Sequence, residues 1–300
     1  MRVALIGLGD IAAKAYLPYL TARAGVTPCL VTRDPAKLAQ LGDAYRIPER
    51  YPDLPSVLAA GVDAAFVHAA TSAHREIVGT LLRHDVPVYV DKPLDDNYAG
   101  AAELVELAER RGLPLVVGFN RRWAPAYREL AAWPDRDLVV LQKHRRGQPG
   151  DPRRFIFDDF IHVVDTLRFV GGGLLSDLAV TSGMENGLLC WVAVHARTDS
   201  GTAFGAMHRD GGLTEEVLQV VGRGRARRVV NLAEVTDQAG ADCVTRRDEW
   251  VPVAVQRGFA QLCDDFLAAV TAGRPVSAGD ALRTHAVCEE IVSRIGASGP

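Results

Sequence analysis

Within its first residues the chain commits to a strand, a glycine turn and a helix. Val3–Ile6 is an apolar, strand-like run, and Gly7-Leu8-Gly9-Asp10-Ile11-Ala12 follows it at once. This matches G-x-G-x-x-[GA] with a strand before it and a helical stretch, about Ile11–Arg23, after it. The first glycine permits the tight turn, the second lets backbone approach a pyrophosphate, and the small Ala12 permits close helix–sheet packing. Phosphates at such a turn sit on the helix N-terminus, where free amides and the dipole favour anions. Gly7, Gly9, Asp10 and Ile11 are therefore expected against a dinucleotide. The bland alternative is a glycine turn in a doubly wound fold that binds nothing, or another nucleotide.

The pattern behind this turn repeats. Thr27–Val31, Asp63–Val67, Val86–Val90 and Leu115–Val117 read as further strands, separated by helix-like stretches such as Asn97–Arg111, which Gly112 closes. Asp34-Pro35 has the form of a cap and first-turn proline. Alternation of this kind predicts a parallel sheet covered by helices. After about residue 121 the character changes. Leu138–Lys143, Leu188–Ala196, Thr202–His208, Val217–Val221 and Arg227–Asn231 read as strands joined by turns, and two helices, about Gln256–Ala272 and Gly279–Ile295, finish the chain. The expectation is an α/β Rossmann domain over 1–121 and an α+β domain with a mainly antiparallel sheet over 122–300. The C-terminal helices are candidates to pack back on the first domain.

Bulk properties exclude several classes. Three hundred residues suit two domains, and 48% hydrophobic content supports a sizeable core. No apolar run approaches the roughly 20 residues that span a bilayer. A net charge of −3 gives no reason to expect nucleic acid or an anionic membrane as partner. The five cysteines are dispersed, without metal spacing, as expected of reduced thiols in a cytoplasmic protein.

Several positions carry chemistry. Asp91-Lys92-Pro93 ends a strand, so Lys92 emerges at the carboxyl edge where ligands bind in open α/β sheets. A lysine there can bond or protonate the oxygen involved in hydride transfer. An NAD-preferring site usually has an acid after the second strand; here Thr32-Arg33 stands instead. A hydroxyl and a guanidinium suit a 2′-phosphate, which favours NADP(H) over NAD(H), unless Arg33 is simply solvated. Ala70 and Thr71 lie in a small-residue turn that lets backbone run alongside a cofactor. His74 is read as a helix cap, a ligand contact or a structural group, and His68 as a packing residue. Asn120 and Arg121 follow the last strand of the first domain, either orienting a polyol, an acid or the cofactor carboxamide, or forming a charged hinge. In Phe157–Asp165, helical geometry puts Asp158 and His162 at i and i+4 on one face, with Asp165 three residues beyond His162. Carboxylate and imidazole together make an acid/base pair. A metal pair lacks a third ligand at helical spacing, so no metal is expected. The Arg223–Arg228 cluster reads as a solvated turn.

In their order, these motifs resemble the glucose–fructose oxidoreductase / inositol dehydrogenase (Gfo/Idh/MocA) family. The resemblance takes in Gly7–Ala12, His74, Asp91-Lys92-Pro93, Gly118–Arg122, Asp158-x-x-x-His162 and the terminal Phe259…Phe266…Gly273-Arg274-Pro275-Val276-Ser277…Asp280-Ala281. Gly-Leu-Gly-Asp-Ile-Ala and Phe-Asp-Asp-Phe-Ile-His further resemble the MviM-like subgroup. The resemblance implies a Rossmann domain, an open-sheet second domain that often forms oligomers, and reversible NAD(P)-dependent oxidation of a sugar or cyclitol hydroxyl. It makes Lys92 the lysine of the family's Glu-Lys-Pro motif and His162 a general base, with Asp158 orienting the histidine or the substrate, and Asp91 and Pro93 flanking the cofactor. Three departures stand out: Asp91 in place of glutamate, Phe160 in place of a glycine two residues before His162, and a short second domain.

The expected protein is thus a cytoplasmic, homo-oligomeric (dimer or tetramer) NADP(H)-dependent oxidoreductase acting on a hydroxyl or carbonyl of a small polar molecule, a sugar or sugar derivative. An imine or other C=N/C=C reductase on the same scaffold is one alternative. A non-catalytic NAD(P)-binding sensor is the other, because fold does not fix function.

Overall fold

The apolar runs of the N-terminal region pair as six parallel strands. In the computed structural model, which describes residues 1–297, these are β1 (Arg2–Ile6), β2 (Thr27–Val31), β3 (Arg50–Tyr51), β4 (Ala64–Val67), β5 (Val88–Val90) and β6 (Leu115–Val117). Their order is β3-β2-β1-β4-β5-β6. The order reverses direction between β1 and β4, and that switch point, at the carboxyl ends, is where such sheets open a ligand crevice. Helices cover the sheet, so its central strands β1, β4 and β5 are almost wholly buried and read as apolar runs rather than as alternation.

The chain divides into two compact units. One comprises residues 1–118 with 259–282, the other residues 119–258 with 283 onward. The helix Phe259–Thr271 therefore belongs with the parallel sheet. Its Phe266 meets Phe66 of β4 edge-on at 5.3 Å, and Phe66 stacks on Tyr89 of β5 at 4.8 Å. The Tyr89 and Tyr16 hydroxyls, both buried, share a hydrogen bond of 2.6 Å.

Local signals set the helix ends. The Asp34 side chain accepts from Lys37 N at 3.0 Å, Asn97 accepts from Gly100 N at 2.9 Å, and Gly112 closes its helix with φ 64°. The single helix expected over Ile11–Arg23 has a π turn at Ala12–Tyr16 before regular geometry at Leu17–Ala22. Pro18 cannot donate to the carbonyl four residues back, and the turn preceding it widens. The helix expected over Gln256–Ala272 is likewise broken: Val253–Gln256 is separate, and Gly258 lies between with φ +80°.

The second unit carries an eight-stranded sheet: β7 (Leu138–His144), β8 (Ser176–Glu185), β9 (Leu188–Arg197), β10 (Thr202–His208), β11 (Glu215–Gly222), β12 (Arg225–Val230), β13 (Glu234–Ala239) and β14 (Ala241–Arg246). The order is β14-β13-β12-β11-β7-β10-β9-β8, antiparallel except where β10 pairs β7. β8, β13 and β14 escape the sequence reading because burial imposes no pattern on them; β14 is exposed along its whole length. The helix Ile161–Gly171 packs on β7 and β10. It comes close because a Cβ at Gly205 would lie 2.7 Å from Val163 and 2.8 Å from Leu167. The arginines near 223–228 are not merely solvated: Arg225 stacks over Trp133 at 4.0 Å, and Arg227 pairs with Glu129 and Asp237. No helix among the described residues is long and apolar enough to cross a membrane.

A buried ion pair ties helix to sheet within this unit. Arg121, in the turn Asn120–Trp123, donates to both oxygens of Glu216 on β11 at 2.8 and 2.6 Å. The Tyr127 hydroxyl, on helix Pro125–Ala131, donates to the same carboxylate at 3.0 Å. Burial alone would raise the Glu216 carboxyl, but the Arg121 guanidinium outweighs it and brings the pKa down to about 2. A depressed carboxylate stabilises the fold above its unfolded value and loses that contribution as pH falls through the folded one. Glu216→Gln leaves Arg121 buried without its counter-charge and is expected to lower stability by about 3–5 kcal/mol at neutral pH. The gap from wild type should narrow as pH falls from 4.5 towards 2. Urea titrations across that window check it, and a gap independent of pH would contradict it.

Candidate active site

The glycine turn builds the first part of the site. Gly7 adopts φ +84°, and a Cβ there would lie 2.5 Å from the Ala69 backbone nitrogen, so the β1 turn and the loop after β4 touch backbone to backbone. Gly9 differs: a Cβ there meets nothing within 4 Å. It faces a groove of about 590 Å³, lined by Gly7, Gly9, Thr32, Arg33, Lys37 and Ala70 among others. A larger hollow of about 980 Å³ in the same unit is lined by Met1, Asp63, Asp85 and Pro87. Those residues flank the amino ends of the strands, away from the edge where the motifs converge. The groove at the carboxyl edge is the candidate site, and its volume and open Gly9 face suit a dinucleotide.

Charges at the β2 end of the groove are distinctive. Arg33 is exposed and, among the described residues, makes no hydrogen bond or ion pair. Lys37 lines the same wall. The nearby acids are already engaged, since Asp34 and Asp53 each cap a helix. Thr32 Oγ1 accepts from Asp34 N at 3.3 Å. Asp10 lies exposed at the turn, paired with Lys14 at 2.7 Å, and Ile11 is 37% exposed beside it. Thr71 begins the helix Thr71–Arg83.

The Lys92 loop is held from inside. The Lys92–Pro93 peptide is cis. Asp91 accepts its neighbour's backbone N–H through Oδ1 at 2.9 Å, and burial raises its pKa. The two nitrogens of His74 meet the carbonyls of Pro93 at 2.8 Å and Ala69 at 3.0 Å. His74 is 1% exposed and does not line the groove, so it braces backbone instead of touching the cofactor. His68 packs as expected, 4.1 Å from the Tyr16 ring, with burial lowering its pKa to about 3.

In the second unit Asp165 stands apart from the other expected residues. Asp158 lies in a π turn, Ile156–Phe160, and His162 in the helix that follows, so the pair does not sit on one regular α-helix. Both are partly exposed, and Asp158 has Arg154 at 3.8 Å. Asp165 turns elsewhere: buried, it accepts from Arg122 at 2.6 Å and from Thr284 at 3.0 Å. Phe160 is wholly buried, among the core residues. Asn120 and Arg121 are also committed to the fold. The Asn120 amide donates to the Arg257 carbonyl at 2.8 Å, and Arg121 holds Glu216. Arg121 is thus committed to Glu216, while Asn120 uses its Nδ2 within the protein.

One group of residues was not anticipated. Lys143 on β7 is buried and ion-paired with Asp159, which also takes Arg145 at 3.2 Å and has Arg209 at 3.9 Å. Burial lowers Lys143 to about 7 despite Asp159. Burial would raise Asp159, but Lys143 and Arg145 hold it well below the usual carboxylate range. A signal was available: Lys143 shares the inward phase of β7 with Val139 and Leu141, as Glu216 shares that of β11 with Leu218 and Val220.

The two glycines make separable predictions. Gly9→Ala should leave thermal stability unchanged yet weaken NAD(P)H binding about tenfold or more, because its methyl enters only the groove. Gly7→Ala should destabilise the protein as well, through both its φ and the Ala69 contact. Thermal unfolding and fluorescence titration read the two effects; full cofactor affinity in Gly9→Ala would contradict the assignment of the groove.

Comparison with known proteins agrees with this architecture. Residues 1–119 match the model of an oxidoreductase family with an NAD-binding Rossmann fold, and residues 125–240 match a YceM-like C-terminal domain. The YceM protein of Salmonella typhimurium is 37% identical over 277 residues, covering 89% of this chain and 88% of that one. Myo-inositol dehydrogenase Hyg17 of Streptomyces leeuwenhoekii is 36% identical over 132 residues, 44% of this chain and 40% of its own. A Gfo/Idh/MocA family oxidoreductase from Vibrio cholerae superposes with a TM-score of 0.93 at 33% identity, over 99% of this chain and 98% of that one. A Clostridium difficile dehydrogenase, MviM, gives 0.90 at 28%, over 98% and 99%. With a Rossmann unit, an open second sheet and relatives of the YceM and MviM kind, the chain belongs to the Gfo/Idh/MocA family of oxidoreductases.

Proposed function

We propose that the protein is an NADP(H)-dependent oxidoreductase acting on a hydroxyl or carbonyl carbon of a small polar substrate, a sugar or sugar derivative. The observation that carries the cofactor preference is Arg33, exposed on the groove wall without a partner while Asp34 and Asp53 cap helices. A 2′-phosphate supplies the counter-charge that Arg33 lacks, with Lys37 on the same wall, whereas a ribose 2′-hydroxyl calls for a carboxylate acceptor. Substrate class rests on the match to myo-inositol dehydrogenase Hyg17.

The cofactor, when bound, accepts or supplies a hydride at the reacting carbon. In the oxidative direction His162 takes the hydroxyl proton as general base, and Asp158 orients that ring. Lys92 hydrogen-bonds the reacting oxygen and favours its developing charge. In reduction the same groups return the proton. The five cysteines are all free thiols, which supports a reducing compartment such as the cytoplasm. Exposed Met184, Leu188, Trp191 and Phe204 on neighbouring strands β8, β9 and β10 support self-association, for which light scattering should report a dimer or tetramer.

One set of titrations tests the enzymatic reading. Wild type should bind NADPH more tightly than NADH, and Lys92→Ala and His162→Ala should retain that binding while losing turnover about a thousandfold in a screen of polyols and their ketones. Tighter NADH binding would overturn the cofactor preference. Turnover surviving both substitutions would overturn the assignment of the acid and base.

A further inference from the structure

Charge in the second unit does not balance. A cavity of about 90 Å³ is lined by Arg121, Lys143, Arg145 and Arg257, together with His144, Glu215 and Glu216. Just behind it Asp159 pairs with Lys143, Arg145 and Arg209. Five cations thus face three carboxylates: Asp159, Glu215 and Glu216. Arg121 is satisfied by Glu216, but a single carboxylate serves Lys143, Arg145 and Arg209 together. The Arg257 guanidinium lines the cavity and has no hydrogen bond or ion pair among the described residues. The Arg209 Nε is buried without a hydrogen-bond acceptor. Charge is retained in such a place where a counter-charge meets it; here Asp159 is shared among three cations, and the exposed Arg257 has no carboxylate at ion-pair distance among the described residues.

We propose that this cavity is a subsite for an oxyanion group, a carboxylate or a phosphate, carried by the substrate. The assignment of the group to a substrate rests on the oxidoreductase reading; the anion site itself does not. The volume suits the ligand, since each water occupies about 30 Å³ and a carboxylate or phosphate head replaces a few of them. Guanidinium forks from Arg145 and Arg257 match either oxyanion in bidentate fashion, and Lys143 adds a point charge. Glu216 and Asp159 hold Arg121 and Lys143 in place, while Glu215, at the end of β11, is the one acid of the lining that opposes an anion. Burial depresses both Lys143 and Arg257, the signature of cations held without enough negative charge around them.

The test is calorimetric titration of the full-length protein saturated with NADPH, which occupies the phosphate-binding groove of the first unit. Inorganic phosphate and malonate are the probes, and glycerol is the neutral control. Saturable binding of phosphate, of malonate or of both is expected; phosphate alone marks a phosphate subsite and malonate alone a carboxylate subsite. Arg145→Gln and Arg257→Gln, both at partly exposed positions, should each weaken that binding about tenfold or more. NADPH affinity should be unchanged in both, which separates loss of this subsite from failure of the cofactor reading. No saturable binding of either anion would overturn the proposal, as would binding equally tight in both folded variants.

Discussion

The close approach at Gly7 is the constraint on which the first unit depends. The turn after β1 and the loop after β4 meet with no room for a side chain, and that contact sits where the strand order reverses. It brings the small residues Ala69 and Ala70 beside the glycine turn and leaves Gly9 open to the groove. A larger residue at position 7 would push the two loops apart and remove the floor of the crevice. The parallel sheet around it, its central strands almost wholly buried, supplies the rigidity that keeps so narrow an approach fixed.

The second unit is organised by a different interaction, the burial of charge. Arg121 with Glu216 and Lys143 with Asp159 replace apolar contacts at inward positions of the sheet and the helices beside it. Such pairs are weak sources of net stability, because desolvation offsets most of their attraction. Their presence at one end of β7 and β11 is better explained by what they hold in place than by what they add to the fold. The Arg122–Asp165–Thr284 bonds lie in the same unit and do ordinary structural work, joining the turn after residue 119 to helices Ile161–Gly171 and Gly279–Ala297.

Much of this was legible from residues alone, for reasons that differ by region. Gly7–Ala12, the cap at Asp34 and the αL closure at Gly112 are backbone requirements that few residues satisfy, so the sequence announces them. Strands β8, β13 and β14 impose little burial and left no alternation to read. Side-chain roles were harder. Asn120, Arg121, His74 and Asp165 carry functional groups that suit ligands, yet each finds its partner within the protein. Sequence spacing places a residue on an element but does not say which neighbour will claim its hydrogen bonds. The period around Asp158 and His162 is also less regular than spacing suggests, because a π turn at Ile156–Phe160 runs into the helix that carries His162.

The position of His74 has a further consequence. Its ring bridges two carbonyls, one on the loop that floors the groove and one on the loop that carries Lys92. A neutral imidazole has a single N–H, so it donates to Ala69 or to Pro93 but not to both. Burial lowers its pKa, which keeps the ring neutral and the choice open. The tautomer therefore records which of the two loops is gripped, and a shift of either carbonyl reassigns the bond. One imidazole thus joins the loop after β4 to the loop that carries Lys92 through a single donated proton.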